Sequence, residues 1–170
     1  MYENLIKTES KRLLELHQNV HRTFKDKQGN PEAWSNACSE FNSYISPLDS
    51  HVEAFYSSSP INSESVEFGV QFLEINPFFF RSGYIKEQIL NKLKRVVLTK
   101  PQSNRLRKVL KNAVLSCSGR EFKRYCRLAL VIGNETLIQE LTGLSEHQDR
   151  KIKSRAVLML SYLAEQAKNA

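Results

Sequence analysis

The sequence predicts an all-α fold, and three observations carry that prediction. Apolar residues recur at helical spacing through nearly every segment, and no segment alternates with a period of two. Thr99 with Gln102, Ser118 with Glu121, and Ser145 with Gln148 each fit a capping box, in which two side chains satisfy each other's orphan backbone donors at a helix start. Only 6 Gly and 5 Pro in 170 residues leave little material for the turns of an all-β fold. About eight helices are expected.

Taken in order, Leu13, Leu16, Val20 and Phe24 share one face of a long amphipathic helix over Glu3 to Lys27, ended by the turn Gln28 to Pro31. Asn30 caps the next helix, with Pro31 at its first position, where a missing N–H costs nothing. That helix carries Ala33, Trp34, Ala37, Cys38, Phe41 and Ile45 and is interrupted at Ser46-Pro47. Ser46 caps a short helix through Val52 to Tyr56. Ser57 to Ser63 (SSSPINS) is the most linker-like stretch. Ser63 opens a helix with Val66, Val70, Phe72 and Leu73 that stops near Asn76-Pro77. Helices then follow over Tyr84–Val97, Pro101–Ser116, Gly119–Ile132, Glu135–Gly143 and Glu146–Lys168.

Charge divides the chain. The first 80 residues carry 6 Lys+Arg against 11 Asp+Glu, and the rest carry 19 against 7, within a net charge of +7. Such a bias bears on partners and solubility rather than on fold. It predicts an acidic N-terminal helical lobe or cap over 1–60 and a basic helical domain over 61–170, which one continuous domain would also accommodate.

The segment Ser118 to Asn134 organises the basic half. Phe122, Cys126, Ala129 and Leu130 fall on one helical face, and Arg120, Lys123, Arg124 and Arg127 on the opposite one. Its frame recurs as Ile85-Lys86 with Ile89 and Leu93, and as Ile152-Lys153 with Ala156 and Leu160. Gly133-Asn134 followed by Leu137, Ile138, Leu141 and Leu144, then Asp149, Ile152-Lys153, Ala156, Leu160 and Leu163, resembles a HEAT-type helical repeat. The resemblance covers Gly119 to Leu163 well, Ser82 to Val97 weakly, and nothing before residue 60. It implies helix pairs stacked into a short right-handed solenoid with one layer lining a concave binding surface; an irregular helical bundle is the alternative.

Function classes narrow by exclusion. His17 and His21 lie one turn apart, but Gln18 stands where a metalloprotease helix needs its general base, so no metal site is expected. Cys38, Cys117 and Cys126 have no ligand spacing and read as free thiols of a cytoplasmic protein. No apolar run approaches the roughly 18 residues of a membrane span. A Gly-rich phosphate loop and a GxSxG elbow are both missing, so neither an enzyme nor a cofactor is expected.

The expected binding residues are therefore the cations Arg105, Lys108, Lys111, Arg120, Lys123, Arg124 and Arg127, with Arg107 on the same outer arc. Arginine suits two-point contacts with carboxylate or phosphate. Phe79, Arg81 and Tyr84 join them from NPFFFRSGY, where three consecutive phenylalanines cannot all enter one core. That stretch reads either as a wedge between the acidic and basic halves or as an aromatic platform. The leading expectation is a non-enzymatic module docking an acidic protein. Sequence-independent nucleic-acid binding and a small inhibitor of immunity type are the alternatives, and self-association of opposite charges remains open.

Overall fold

Four buried side chains of one helix, Val66, Phe68, Phe72 and Leu73, organise the first half of the computed structural model, which describes residues 2–117, 119 and 121–169, with side chains as far as Glu165. Among the described residues there are nine helices and no strand. They are α1 (Glu3–Lys25), α2 (Pro31–Ser43), α3 (Pro47–Ser57), α4 (Ser63–Ile75), α5 (Ser82–Leu93), α6 (Lys100–Ser116), α7 (Phe122–Ile132), α8 (Glu135–Ser145) and α9 (Arg150–Asn169). No described helix is long and apolar enough to cross a membrane.

The chain divides into two compact units, Met1–Ile85 and Lys86–Ala170. The break falls later than the charge pattern suggests, because α4 packs on α1 and α3 and so belongs with the acidic helices. In the first unit α1 also packs on α2 and α3. Its floor is polar as well as apolar: buried Glu9 accepts hydrogen bonds from the hydroxyls of Tyr44 (2.8 Å) and Ser46 (2.7 Å). A buried carboxylate is tolerable only when such donors replace its water. Ser46 uses the same side chain to accept the N–H of Leu48, so one contact ties the start of α3 to the middle of α1. Tyr2 closes the other end, donating its hydroxyl to Glu64 (2.7 Å) and setting its ring edge-on to His51 and Phe68.

Helix starts follow the sequence closely. Asn30, Ser46, Asn62, Thr99 and Asn134 each accept a backbone N–H of the first turn, and Thr99–Gln102 forms the expected box. The expected start at Ser145 does not occur. Ser145 ends α8, with its hydroxyl donating to Thr142 O, and Asp149 caps α9 by accepting the N–H groups of Lys151 (2.7 Å) and Ile152 (3.3 Å). A carboxylate is the stronger acceptor and complements the positive helix end, so it wins the boundary over a hydroxyl. The Ser118 member of the remaining box lies outside the described residues. Helix α5 runs from Ser82 and stops at Leu93 rather than reaching Val97.

The second unit solves its helix ends differently. Neither α6 nor α7 carries a basic residue in its own last turn. Instead Arg155 of α9 donates to the carbonyls of Val114 (2.6 Å), Leu115 (3.0 Å) and Cys117 at the end of α6. Arg107 of α6 donates from Nε to Ile132 O (2.6 Å) at the end of α7. A guanidinium there both satisfies orphan carbonyls and opposes the negative end of the helix dipole. Around these ties α8 packs on α9, α7 on α9, and α6 on α7, α8 and α9. At Gly133 a β-carbon would stand 2.6 Å from Ala129 O, so the backbone at the end of α7 itself requires glycine, while the flexible tip of Leu163 at 2.7 Å could give way.

Two outcomes are expected. Replacing Arg155 with Ala should cost about 2 kcal/mol in a denaturant titration, and Lys should recover only part, because one ammonium cannot serve three diverging carbonyls as a fork does. The Tyr2 hydroxyl is pushed up from 10.0 to about 12, first by burial and then by its bond to Glu64 and the charges of Glu64 and Glu67. The stabilisation tied to that proton is complete below about pH 10 and is lost as pH rises through about 12. Tyr2→Phe should flatten the alkaline limb of a stability-versus-pH curve across that window.

Candidate functional site

Helix α7 buries Phe122, Tyr125, Cys126, Leu128, Ala129 and Ile132, exposes Lys123 and leaves Arg124 and Arg127 half-buried. The apolar face is rotated slightly from the expected one, so that Leu130 is only half-buried. Lys94 and Arg95 follow α5 in a short turn held by Lys94 N–H to Leu90 O (3.3 Å) and Arg95 N–H to Lys92 O (2.9 Å). These two segments converge. The Lys94 amine is held below its ordinary value by loss of hydration and, after that, by the positive charges of Arg95, Arg127 and Arg124.

That cluster differs from the expected one in its members. Lys94 and Arg95 were missed, although the run KLKR at 92–95 was a usable signal; the basic stripe of α7 drew attention to its nearest neighbour in sequence, α6. Of the α6 cations, Arg107 is spent on the end of α7, where its Nη1 also reaches Asn104 Oδ1 (2.5 Å). Lys111 pairs with Glu140 of α8 at 2.7 Å. Arg105 is half-buried and engaged, Lys108 is exposed, and Arg120 lies outside the described residues. Within the cluster Arg124 has its own carboxylate. Glu87 Oε1 sits 2.7 Å from Nη2 and 2.8 Å from Nε.

The aromatic stretch resolves by alternation. Phe79 is a core ring, 8% exposed and edge-on to Phe72, while Phe78 and Phe80 are 78% and 45% exposed. Phe79 therefore supports the first unit from inside, and the accessible rings are its two neighbours and Tyr84. Arg81 holds a positive φ of 71° and lays its guanidinium over Phe80. Phe80 also meets Phe41 and His17, and His17 touches His21. Burial, and secondarily the His21 charge, lowers the His17 pKa. Among the described residues no group of three or more His, Cys, Asp or Glu is placed to hold a metal ion.

Close to α7, Lys86 is 6% exposed, its pKa lowered by burial and partly restored by Glu121 and Cys117. Burial likewise raises the Cys126 thiol to about 12 and lifts the Cys117 thiol, so neither is poised as a thiolate.

Among the described residues the geometry defines an all-helical protein. No protein-family model matches the chain, and neither a curated protein nor a solved structure does.

Crowded like charges destabilise by amounts that salt screens. Lys94→Gln should therefore raise the stability slightly at low ionic strength, by about 0.5 kcal/mol at most, and should reduce the rise of the melting midpoint with added salt. A wild-type midpoint indifferent to salt would argue against the crowding.

Proposed function

We propose that this chain is a non-enzymatic helical docking module that binds an acidic protein surface through Lys94, Arg95, Lys123, Arg124 and Arg127. The observation that carries the reading is the meeting of α5 and α7 at the Glu87–Arg124 pair (2.7 Å), near which the Lys94 amine is lowered by burial and, after that, by the charges of Arg95, Arg127 and Arg124. Like charges brought together this way weaken the folded state, and an external anion relieves the repulsion. Arginine predominates among them, and its planar fork favours carboxylates over diffuse counter-ions. The second unit is read here as HEAT-type helix pairs, α6–α7 and α8–α9; packing of α6 on α8 and of α7 on α9 supports that stacking. Three free cysteines fit work in the cytoplasm.

The test is charge reversal. Lys94→Glu, Arg95→Glu, Lys123→Glu and Arg127→Glu combined should weaken binding to poly-L-glutamate by more than about tenfold while helicity by circular dichroism is unchanged. Unchanged binding would remove the docking face. Equal or tighter binding of random duplex DNA, falling log-linearly with salt, would instead favour a nucleic-acid ligand.

A further inference from the structure

We infer that the Nε–Nη2 edge of Arg124 is the seat for a carboxylate of the acidic partner, and that Glu87 occupies this seat as an internal stand-in which the partner displaces. The inference rests on the docking reading above and says which cation recognises the partner and what holds that cation beforehand.

Three observations lead to it. First, Glu87 Oε1 accepts from both nitrogens of one guanidinium edge, at 2.7 Å and 2.8 Å. This is the edge by which arginine reads planar anions, and it is already filled by a side-chain carboxylate. Both N–H groups converge on a single oxygen, whereas a fork–fork pair gives each nitrogen its own, so an incoming carboxylate has a better geometry available.

Second, Arg124 is the member of the cluster with a counter-ion. Among the described residues no carboxylate stands within ion-pair distance of Lys94, Arg95 or Arg127. One carboxylate set among four cations leaves most of the positive charge uncompensated. An acidic segment that replaces Glu87 brings further carboxylates to the other three, so the exchange at Arg124 is nearly even and the gain lies around it.

Third, the Arg124 and Glu87 side chains are 31% and 21% exposed, against 51% and 80% for the looser pair Lys153–Glu146. Partial burial reduces solvent screening and makes the contact selective for shape as well as charge. The occupant already seated there is a carboxylate, which is the reason for assigning the partner's group to that class.

Glu87 thereby sets the affinity of the face. Displacing it costs the contact with Arg124 and the further interaction that Glu87 makes, and the negative charge it carries also repels the approaching partner.

The experiment measures the affinity of Glu87→Gln for poly-L-glutamate and for random duplex DNA at one fixed salt concentration. Glu140→Gln serves as control, since it deletes the same charge from the Lys111 pair elsewhere in the unit. Glu87→Gln should tighten poly-L-glutamate binding by about three- to tenfold, the worth of one partly screened pair. Glu140→Gln should change it less than twofold or so on the same scale. Adding Arg124→Gln to Glu87→Gln should erase the gain. Should Glu87→Gln fail to fold, Glu87→Asp, too short to keep both contacts, should give part of the gain. Equal effects of Glu87→Gln and Glu140→Gln, or a gain that survives Arg124→Gln, would overturn the inference and leave the docking face standing. A larger gain on DNA than on poly-L-glutamate would overturn the carboxylate assignment. Binding of neither polymer by the wild-type chain would remove the docking reading itself.

Discussion

The second unit depends on how its short helices dispose of their C-terminal carbonyls. Each helix leaves four C=O groups without an intrahelical partner, and α6 and α7 end without lysine or arginine of their own. Arg155 and Arg107 answer them from other helices, so every such tie closes a helix end and joins two helices at once. Glycine at position 133 lets the backbone turn out of α7 close against Ala129 O. The first unit reaches an equivalent result with acids, through Glu9 beneath Tyr44 and Ser46 and Glu64 beneath Tyr2.

This division of labour separates cations that look alike. Arg107 and Arg155 are spent on carbonyls, Lys111 on Glu140 and Arg124 on Glu87. Electrostatic accumulation steers and orients partners more than it stabilises a fold. The Glu87–Arg124 contact joins α5 to α7 by a partly buried ion pair of 2.7 Å.

Much of the fold was legible in the residues. Asn30-Pro31, Ser46-Pro47 and Thr99-Gln102 start helices where local hydrogen bonding and proline geometry require it, because a cap is decided within four residues of chain. The start near Ser145 was misread for the same local reason, since Asp149 offered a better acceptor four residues on. Of the candidate site, Lys123, Arg124 and Arg127 were visible as the polar face of α7. Lys94 and Arg95 were not, because nothing in a linear pattern says that a turn after one helix will meet the outer face of another.

The sequence by itself determined the helical class, most helix starts and the segregation of charge, whereas Phe79, expected among the binding residues, proves to be a core ring. These follow from periodicity and from contacts between residues a few positions apart. Only the tertiary structure decided which cations are consumed and which are gathered. Arg155 reaches across about forty positions to the end of α6, and Arg124 reaches back 37 to Glu87. Such pairings depend on which helix faces meet, and that is settled by packing of the whole unit rather than by any local propensity.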